Sequence, residues 1–355
     1  MVSPTFWKGQ RVFITGHTGF KGSWLTLWLS RLGAKVTGYA LPPPTHPNLF
    51  TSANVRDTLA AHAIEDVRCR ASLHDALQQA TPNVVFHLAA QSLVRTSYTA
   101  PVETFETNIM GTVNLLNAVR HCESVGAVVI VTTDKCYAEQ PSGAAHAEDD
   151  RLGGYDPYAS SKACAEHVTA AYRSSYFGSS SRPHVCTVRA GNIVGGGDFA
   201  ADRLVPDLVR ARLQKHRVTI RSPEAIRPWQ FVLDALHGYL LLAEKLYVDG
   251  PAYAEAWNFG PQEAAAITVG EVVEAFEATW PSVHAVDCSK PTPEQREAPV
   301  LRLDSTKAHN HLGWTPRLSF AETIRWTAEW YRTFADGGSV ATFTDNQIEQ
   351  FEDLL

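Results

Sequence analysis

The sequence predicts a doubly wound α/β fold: a parallel sheet covered by helices on both faces, with a smaller mixed α/β region on its C-terminal side. Three observations carry this. Short, almost uninterrupted apolar runs alternate with helical patterns through the first half of the chain, as strands do when neither face of a sheet meets water. The first run ends in glycine directly before a helical pattern. After residue 190 the alternation stops, and helices mix with short strands around glycine-rich segments.

Arg11–Gly16 is the first expected strand, and Trp24, Leu25, Leu27, Trp28, Leu29 and Leu32 recur at helical spacing over Ser23–Leu32. Lys35–Tyr39 is the second strand, and another short one precedes Asp66. Helices are expected over Ser72–Ala80, Thr107–Cys122 and Tyr158–Tyr172, and strands over Asn83–Leu88, Ala127–Val131 and Val185–Arg189. Breakers gather at Pro42–Pro44, Pro141–Gly154 and Gly178–Pro183; apolar periodicity resumes after each, so they are loops and not domain linkers. Residues 1–190 with roughly 231–260 are expected to build the sheet domain, and 191–230 with 261–355 a region that caps a ligand at the sheet's carboxyl edge.

With 355 residues, 45% of them hydrophobic, the chain can bury a large core. A net charge of −6 and no basic stripe argue against a nucleic-acid partner. The N-terminus lacks a basic segment leading into an apolar core, and no apolar run approaches the roughly 18 residues of a membrane span, so a cytoplasmic protein with no membrane partner is expected. Cys69, Cys122, Cys136, Cys164, Cys186 and Cys288 show neither a C-x-x-C pair nor ligand-like histidine spacing, which disfavours disulfides and metal alike. Cys136 and Cys164, near the expected site, read as small apolar fillers.

Gly16-His17-Thr18-Gly19-Phe20-Lys21-Gly22 falls between the first strand and first helix. Gly16 permits a tight turn, Gly19 lets backbone approach a pyrophosphate, and a helix starting near Gly22 offers free N–H groups and a positive dipole end. Close helix–strand packing alone is the alternative reading. A Rossmann sheet binding a dinucleotide is therefore expected. The second strand ends at Tyr39 with neither an acidic residue for a ribose hydroxyl nor an arginine for a 2′-phosphate, which favours NAD; Asp66 and Val67 are candidate adenine contacts. Leu88, Ala89 and Ala90 should end a strand against the cofactor, while His87 is either part of that edge or a core histidine.

Tyr158 and Lys162 are four apart, hence on one helix face, and Asp156-Pro157 marks the helix start. A tyrosine takes an alcohol proton near neutral pH only if its pKa of about 10 is pulled down, which a lysine ammonium and a nicotinium would do. Thr133, ending the Ala127–Val131 strand, is placed to orient the same substrate oxygen. Asp134 and Lys135 follow, and read either as a solvated turn with an internal ion pair or as the acid and base of an elimination. In the second reading a neutral Lys135, its pKa depressed by burial beside Lys162, removes a proton next to a newly formed ketone, and protonated Asp134 releases the neighbouring hydroxyl as water. Arg227, stiffened by Pro228-Trp229, suits a diphosphate, although an arginine is commonly a surface charge.

With those residues in hand, the chain resembles the extended short-chain dehydrogenase/reductases over nearly its whole length and, within them, the CDP-glucose 4,6-dehydratases. The motifs are the glycine turn with Ser23-Trp24-Leu25, His87-Leu88-Ala89-Ala90-Gln91 with Leu93-Val94-Arg95, Thr107-Asn108, Thr133-Asp134-Lys135, Leu152–Tyr158, Arg189–Asn192, Gly195–Asp198 and Arg227–Gln230. Lysine at 135 is the narrow signature. The resemblance implies Thr18 and Phe20 at the cofactor and Gln91, Arg95, Asn108, Asn192, Arg203, Arg227 and Arg296 around a nucleotide-sugar, CDP-glucose. It also implies a homodimer or homotetramer, with the Thr107–Cys122 and Tyr158–Tyr172 helices as candidate contacts. A nucleotide-sugar 4-epimerase, a dehydratase acting on another nucleotide-sugar and a cofactor-binding regulator without turnover are the competing readings.

Overall fold

The computed structural model describes residues 2–140, 143–178, 182–220, 222–261, 267–281, 286–288 and 300–355. Seven parallel strands form one sheet in the spatial order Ala256–Phe259, His184–Ala190, Ala127–Val131, Val84–His87, Arg11–Thr15, Lys35–Ala40 and Ala61–Ile64. Strand order reverses beside Arg11–Thr15, which pairs with both Lys35–Ala40 and Val84–His87. A crevice opens at such a reversal because successive crossovers leave to opposite faces, and ligands bind there outside the carboxyl ends.

The alternation of side chains along the strands sorts the core into two layers. Val12, Ile14, Val84, Phe86 and Val129 pack with the Phe20–Arg31 and Val232–Asp249 helices. Phe13, Val85, Val128 and Ile130 pack with the Arg70–Ala80, Gly111–Val119 and Pro157–Tyr176 helices. Ala256–Phe259 extends the sheet only after the chain has left it to build the pair Asn192–Val194 with Trp229–Phe231; a second pair, Val218–Ile220 with Val286–Cys288, is completed after the chain leaves the sheet again.

Two elements differ from expectation. The first long helix begins at Phe20, inside the glycine motif, so Gly22 lies within it; a Cβ there would stand 2.1 Å from the Gly16 carbonyl oxygen. The helix expected over Thr107–Cys122 instead opens with a π turn, Glu106–Met110, before Gly111–Val119. That turn accommodates Asn108, whose side chain accepts from Gln91 N at 2.8 Å and donates to Gln91 O at 2.9 Å and Ser161 Oγ at 2.8 Å. The Pro157–Tyr176 helix starts as expected, with Asp156 accepting from Ala159 N and proline in its first turn. Among the described residues no helix is long and apolar enough to cross a membrane, and no cluster of potential metal ligands occurs.

Candidate active site

A cleft of about 860 Å³ opens at the carboxyl edge of the sheet, between the first turn of the Phe20–Arg31 helix and the segments following residue 190. Its floor is the end of the Ala127–Val131 strand continuing into Thr132, Thr133, Asp134 and Lys135, with Tyr158 beside them. Arg95, Asn192, Arg203 and Arg227 line its rim.

The glycine turn fits a dinucleotide. Gly16 has φ +80°, and a Cβ there would approach Ala89 N to 2.7 Å, so the Leu88–Ala90 edge and the turn lie in contact. Gly19 is the helix N-cap: it brings no side-chain cap, and the first turn holds no acidic residue. Its N–H groups and dipole are left for an anion, as a pyrophosphate requires. Thr18 is buried and donates to Leu41 O at 2.8 Å, while Phe20 faces the cleft. Asp66 is engaged by Arg68, whose N and Nε both donate to it at 2.8 Å, and Val67 is buried against Gly111. His87 is a core histidine: it bonds Thr15 Oγ1 at 2.7 Å, and burial pushes it down to about 3.

Thr133 donates to Asp134 Oδ1 at 3.0 Å and hydrogen-bonds the Tyr158 hydroxyl. Asp134 is buried, which pushes its carboxyl up to about 6 against the charge of Lys135 and the Thr133 hydrogen bond; Oδ2 has no hydrogen-bond partner among the described residues. Lys135 is half-buried at the cleft wall, so the full burial expected for it is absent. Tyr158 also departs from expectation. Burial pushes it up to about 12, and after the Thr133 hydrogen bond the cation opposing that rise is Arg203. Lys162 donates to Val131 O at 3.0 Å, and its own burial brings it down to about 8.

Not every expected substrate residue reaches the cleft. Asn108 is spent on Gln91 and Ser161, and the Gln91 side chain bonds Leu93 N, Leu93 O and Thr104 Oγ1. Both hold the loop that carries Arg95, and neither lines the cleft. Arg95 pairs with Asp202 at 3.0 Å and Arg203 with Asp198 at 2.7 Å. Arg296 lies outside the described residues. Trp314 is core, donating to Asp234 O, whereas Trp229, although buried, also lines the cleft. Cys136 is fully buried, and burial pushes its thiol well up, as suits a filler.

Sequence reasoning missed Lys21 and Glu166. Lys21 enters the cleft from the first helical turn, where burial and the charges of Lys162 and Arg203 push it down to about 7. A cation at a helix N-terminus, against the dipole, was the available signal. Glu166 is buried four residues beyond Lys162, and that spacing was its signal.

A dinucleotide turn, a Tyr158–Lys162 helix face and an acid–amine pair gathered at one edge of the sheet define a nicotinamide-dependent enzyme of the extended short-chain dehydrogenase/reductase class. The GDP-mannose 4,6 dehydratase family model matches residues 13–327, and the chain belongs to that family. It is 42% identical to a CDP-glucose 4,6-dehydratase of Salmonella typhimurium strain LT2 over 99% of this chain and 98% of that one. A dTDP-glucose 4,6-dehydratase of Streptomyces antibioticus is 31% identical over 91% and 92% of the two chains. The Thermus thermophilus UDP-glucose 4-epimerase, solved with NAD, superposes with a TM-score of 0.78 at 26% identity, covering 91% of this chain and 99% of that one.

Proposed function

We propose that this chain dehydrates CDP-glucose to CDP-4-dehydro-6-deoxyglucose and water. The carrying observation is Asp134, buried in the cleft with its carboxyl near 6, one oxygen unpartnered and Lys135 beside it. Burial favours the protonated form of such a carboxyl far more than of an ordinary aspartate, which suits a proton donor that a 4-epimerase has no use for. NAD, held at the Gly16–Gly22 turn and the Leu88–Ala90 edge, supplies the hydride acceptor and donor at sugar carbons 4 and 6. Tyr158, raised by burial here, would be lowered by the positive ring of bound NAD and take the proton of the carbon 4 hydroxyl, while Thr133 orients that oxygen and Lys162 stands behind it. Lys135 takes the carbon 5 proton, made acidic by the adjacent ketone. Asp134 gives its proton to the carbon 6 hydroxyl, which leaves as water across the new carbon 5–carbon 6 double bond; as the hydride is returned to carbon 6, Lys135 gives its proton back to carbon 5, so the loss of water is the only net change.

In this reading residues 1–190 with 231–260 carry the cofactor and 191–230 with 261–355 the sugar nucleotide, and the cytoplasm supplies both. Arg227, Arg203, Arg95 and Asn192 receive the diphosphate. We also assign a homodimer, supported by Val102, Phe105 and Met110 standing exposed on the segment that leads into the Gly111–Val119 helix. Incubation with CDP-, UDP-, dTDP- and GDP-glucose, following the alkali-induced absorbance of a 4-keto-6-deoxy product, tests the assignment. Turnover of CDP-glucose foremost is expected; product from another nucleotide alone overturns the choice of base, and none from any overturns the dehydratase reading.

A further inference from the structure

Tyr158, Lys162 and Glu166 recur every four residues along one helix, so they share a face. The carboxylate of Glu166 is pinned on three sides. Thr132 Oγ1 donates to Oε1 at 2.5 Å, and Thr187 Oγ1 and Arg189 Nη2 donate to Oε2 at 2.7 and 2.8 Å. The Arg189–Glu166 pair is almost wholly buried, its two side chains 4% and 3% exposed. Arg189 is anchored in turn, donating to Tyr137 Oη and Glu148 O.

Two contacts from this face grip consecutive residues of the catalytic strand end. Lys162 holds the Val131 carbonyl and Glu166 holds the Thr132 hydroxyl; Thr133 and Asp134 come next. A buried ion pair is seldom the most stable filling for a core, since desolvation offsets its attraction. Its charge therefore calls for a use at this place. The charged and titratable groups acting on Lys162 or acted on by it are Glu166 on its own helix, Cys136 beyond the strand end, His87 on the neighbouring strand and Lys21 on the Phe20–Arg31 helix, with Tyr158 one turn away on the shared face. Of these Glu166 is the one buried carboxylate, and its charge opposes the loss of the Lys162 proton that burial promotes.

We propose that Glu166 is a positioning residue for proton removal from the substrate: pinned by Arg189, Thr132 and Thr187, it fixes the strand end under Thr133 and sets a permanent negative charge behind Lys162. Glu166 does not line the cleft, so it acts through Lys162 and Thr132 and not on substrate. This rests on the dehydratase reading above.

The test is the pH profile of reduced-cofactor formation in single turnover with CDP-glucose, for wild type, Glu166→Gln and Glu166→Gln/Arg189→Gln. Without the carboxylate Lys162 gives up its proton at lower pH, so the alkaline limb should move down by about one pH unit. KM for CDP-glucose should change little. The double variant removes the stranded Arg189 charge and should keep the shifted limb. An alkaline limb that stays at its wild-type position in either variant overturns the proposal, as does a double variant that fails to fold, since the pair would then be a fold requirement. Wild type inactive on every nucleotide-glucose would instead sink the dehydratase reading on which the proposal stands.

Discussion

The floor and the rim of the cleft are built on opposite principles. On the floor Thr132, Thr133, Asp134, Tyr158 and Lys162 are all buried, and the ionisable three are pushed far from their ordinary values by loss of water. On the rim Arg95 and Arg203 remain partly exposed and already hold carboxylates, Asp202 and Asp198, while Arg227 is the buried member. Buried charge is altered by its surroundings and can carry proton chemistry; charge that is partly wet and paired serves to hold a ligand. Substitution on the floor should therefore strike turnover, and substitution on the rim should strike KM.

Tyr158→Phe makes the sharpest test of the floor. Removing the phenolic proton acceptor should cost ~10²–10⁴-fold in hydride transfer while leaving cofactor binding and thermal stability near wild type. Retention of more than about a tenth of wild-type turnover would break the contrast, because general base catalysis is worth more than that.

Lys135→Met separates the halves of the reaction. The variant should still oxidise carbon 4 and accumulate reduced cofactor in single turnover, yet lose exchange of the carbon 5 proton with solvent deuterium by ~10²-fold or more. Exchange at the wild-type rate would remove Lys135 from the role of base, and the acid–amine pair would revert to a solvated turn.

On the rim, Arg227→Ala should raise KM for CDP-glucose roughly tenfold or more, with a smaller fall in kcat, since a planar guanidinium holds phosphate oxygens in pairs. Arg95→Ala, exposed and already paired with Asp202, should do less. Equal losses in kcat from both would mean that the rim takes part in the chemistry and that the division into floor and rim is wrong.

The floor was legible in the sequence where local pattern decides geometry. Ala127–Val131 has the boundaries its apolar run predicts, and helical spacing puts Tyr158 and Lys162 on one face. What was illegible depends on the direction of a side chain or on a packing partner distant in sequence. A π turn adds one residue and shifts the apolar phase only over the short stretch before Gly111–Val119, too little for spacing to register, so the turn that spends Asn108 on Gln91 was not legible. The Gly195–Asp198 segment reads in the sequence only as glycine-rich, and the reason for one of its glycines is distant: a Cβ on Gly196 would meet the Trp330 ring at 1.9 Å, so that glycine serves close packing. The effect of burial on Tyr158 was likewise invisible, since it depends on everything around the hydroxyl and not on Lys162 alone.

The smallest expected effect concerns the far end of the cofactor site. At the end of the Lys35–Ala40 strand the Tyr39 hydroxyl is tied to Asp66 O at 3.0 Å, and the Leu41 carbonyl accepts from Thr18. Gly38 lies under the His17 ring, where a Cβ would approach to 2.4 Å. Among the described residues this strand itself carries no carboxylate at its end, and Asp66 beside Tyr39 is held by Arg68. This strand end carries no cation of its own either, and the facing His17 is kept neutral, pushed down to about 4 by burial and next by the charge of His62. A 2′-phosphate here would lose water without gaining a guanidinium, a cost that falls on NADP alone. NAD should consequently bind more tightly, by about tenfold or 1.4 kcal/mol, and not by the larger margin that an acidic residue would impose. Calorimetric titration of the chain with each cofactor measures the difference directly. Equal affinities, or a preference for NADP, would show that a cation from outside this strand reaches the adenosine ribose, with exposed Arg56, whose charge is felt by His62, the first to substitute.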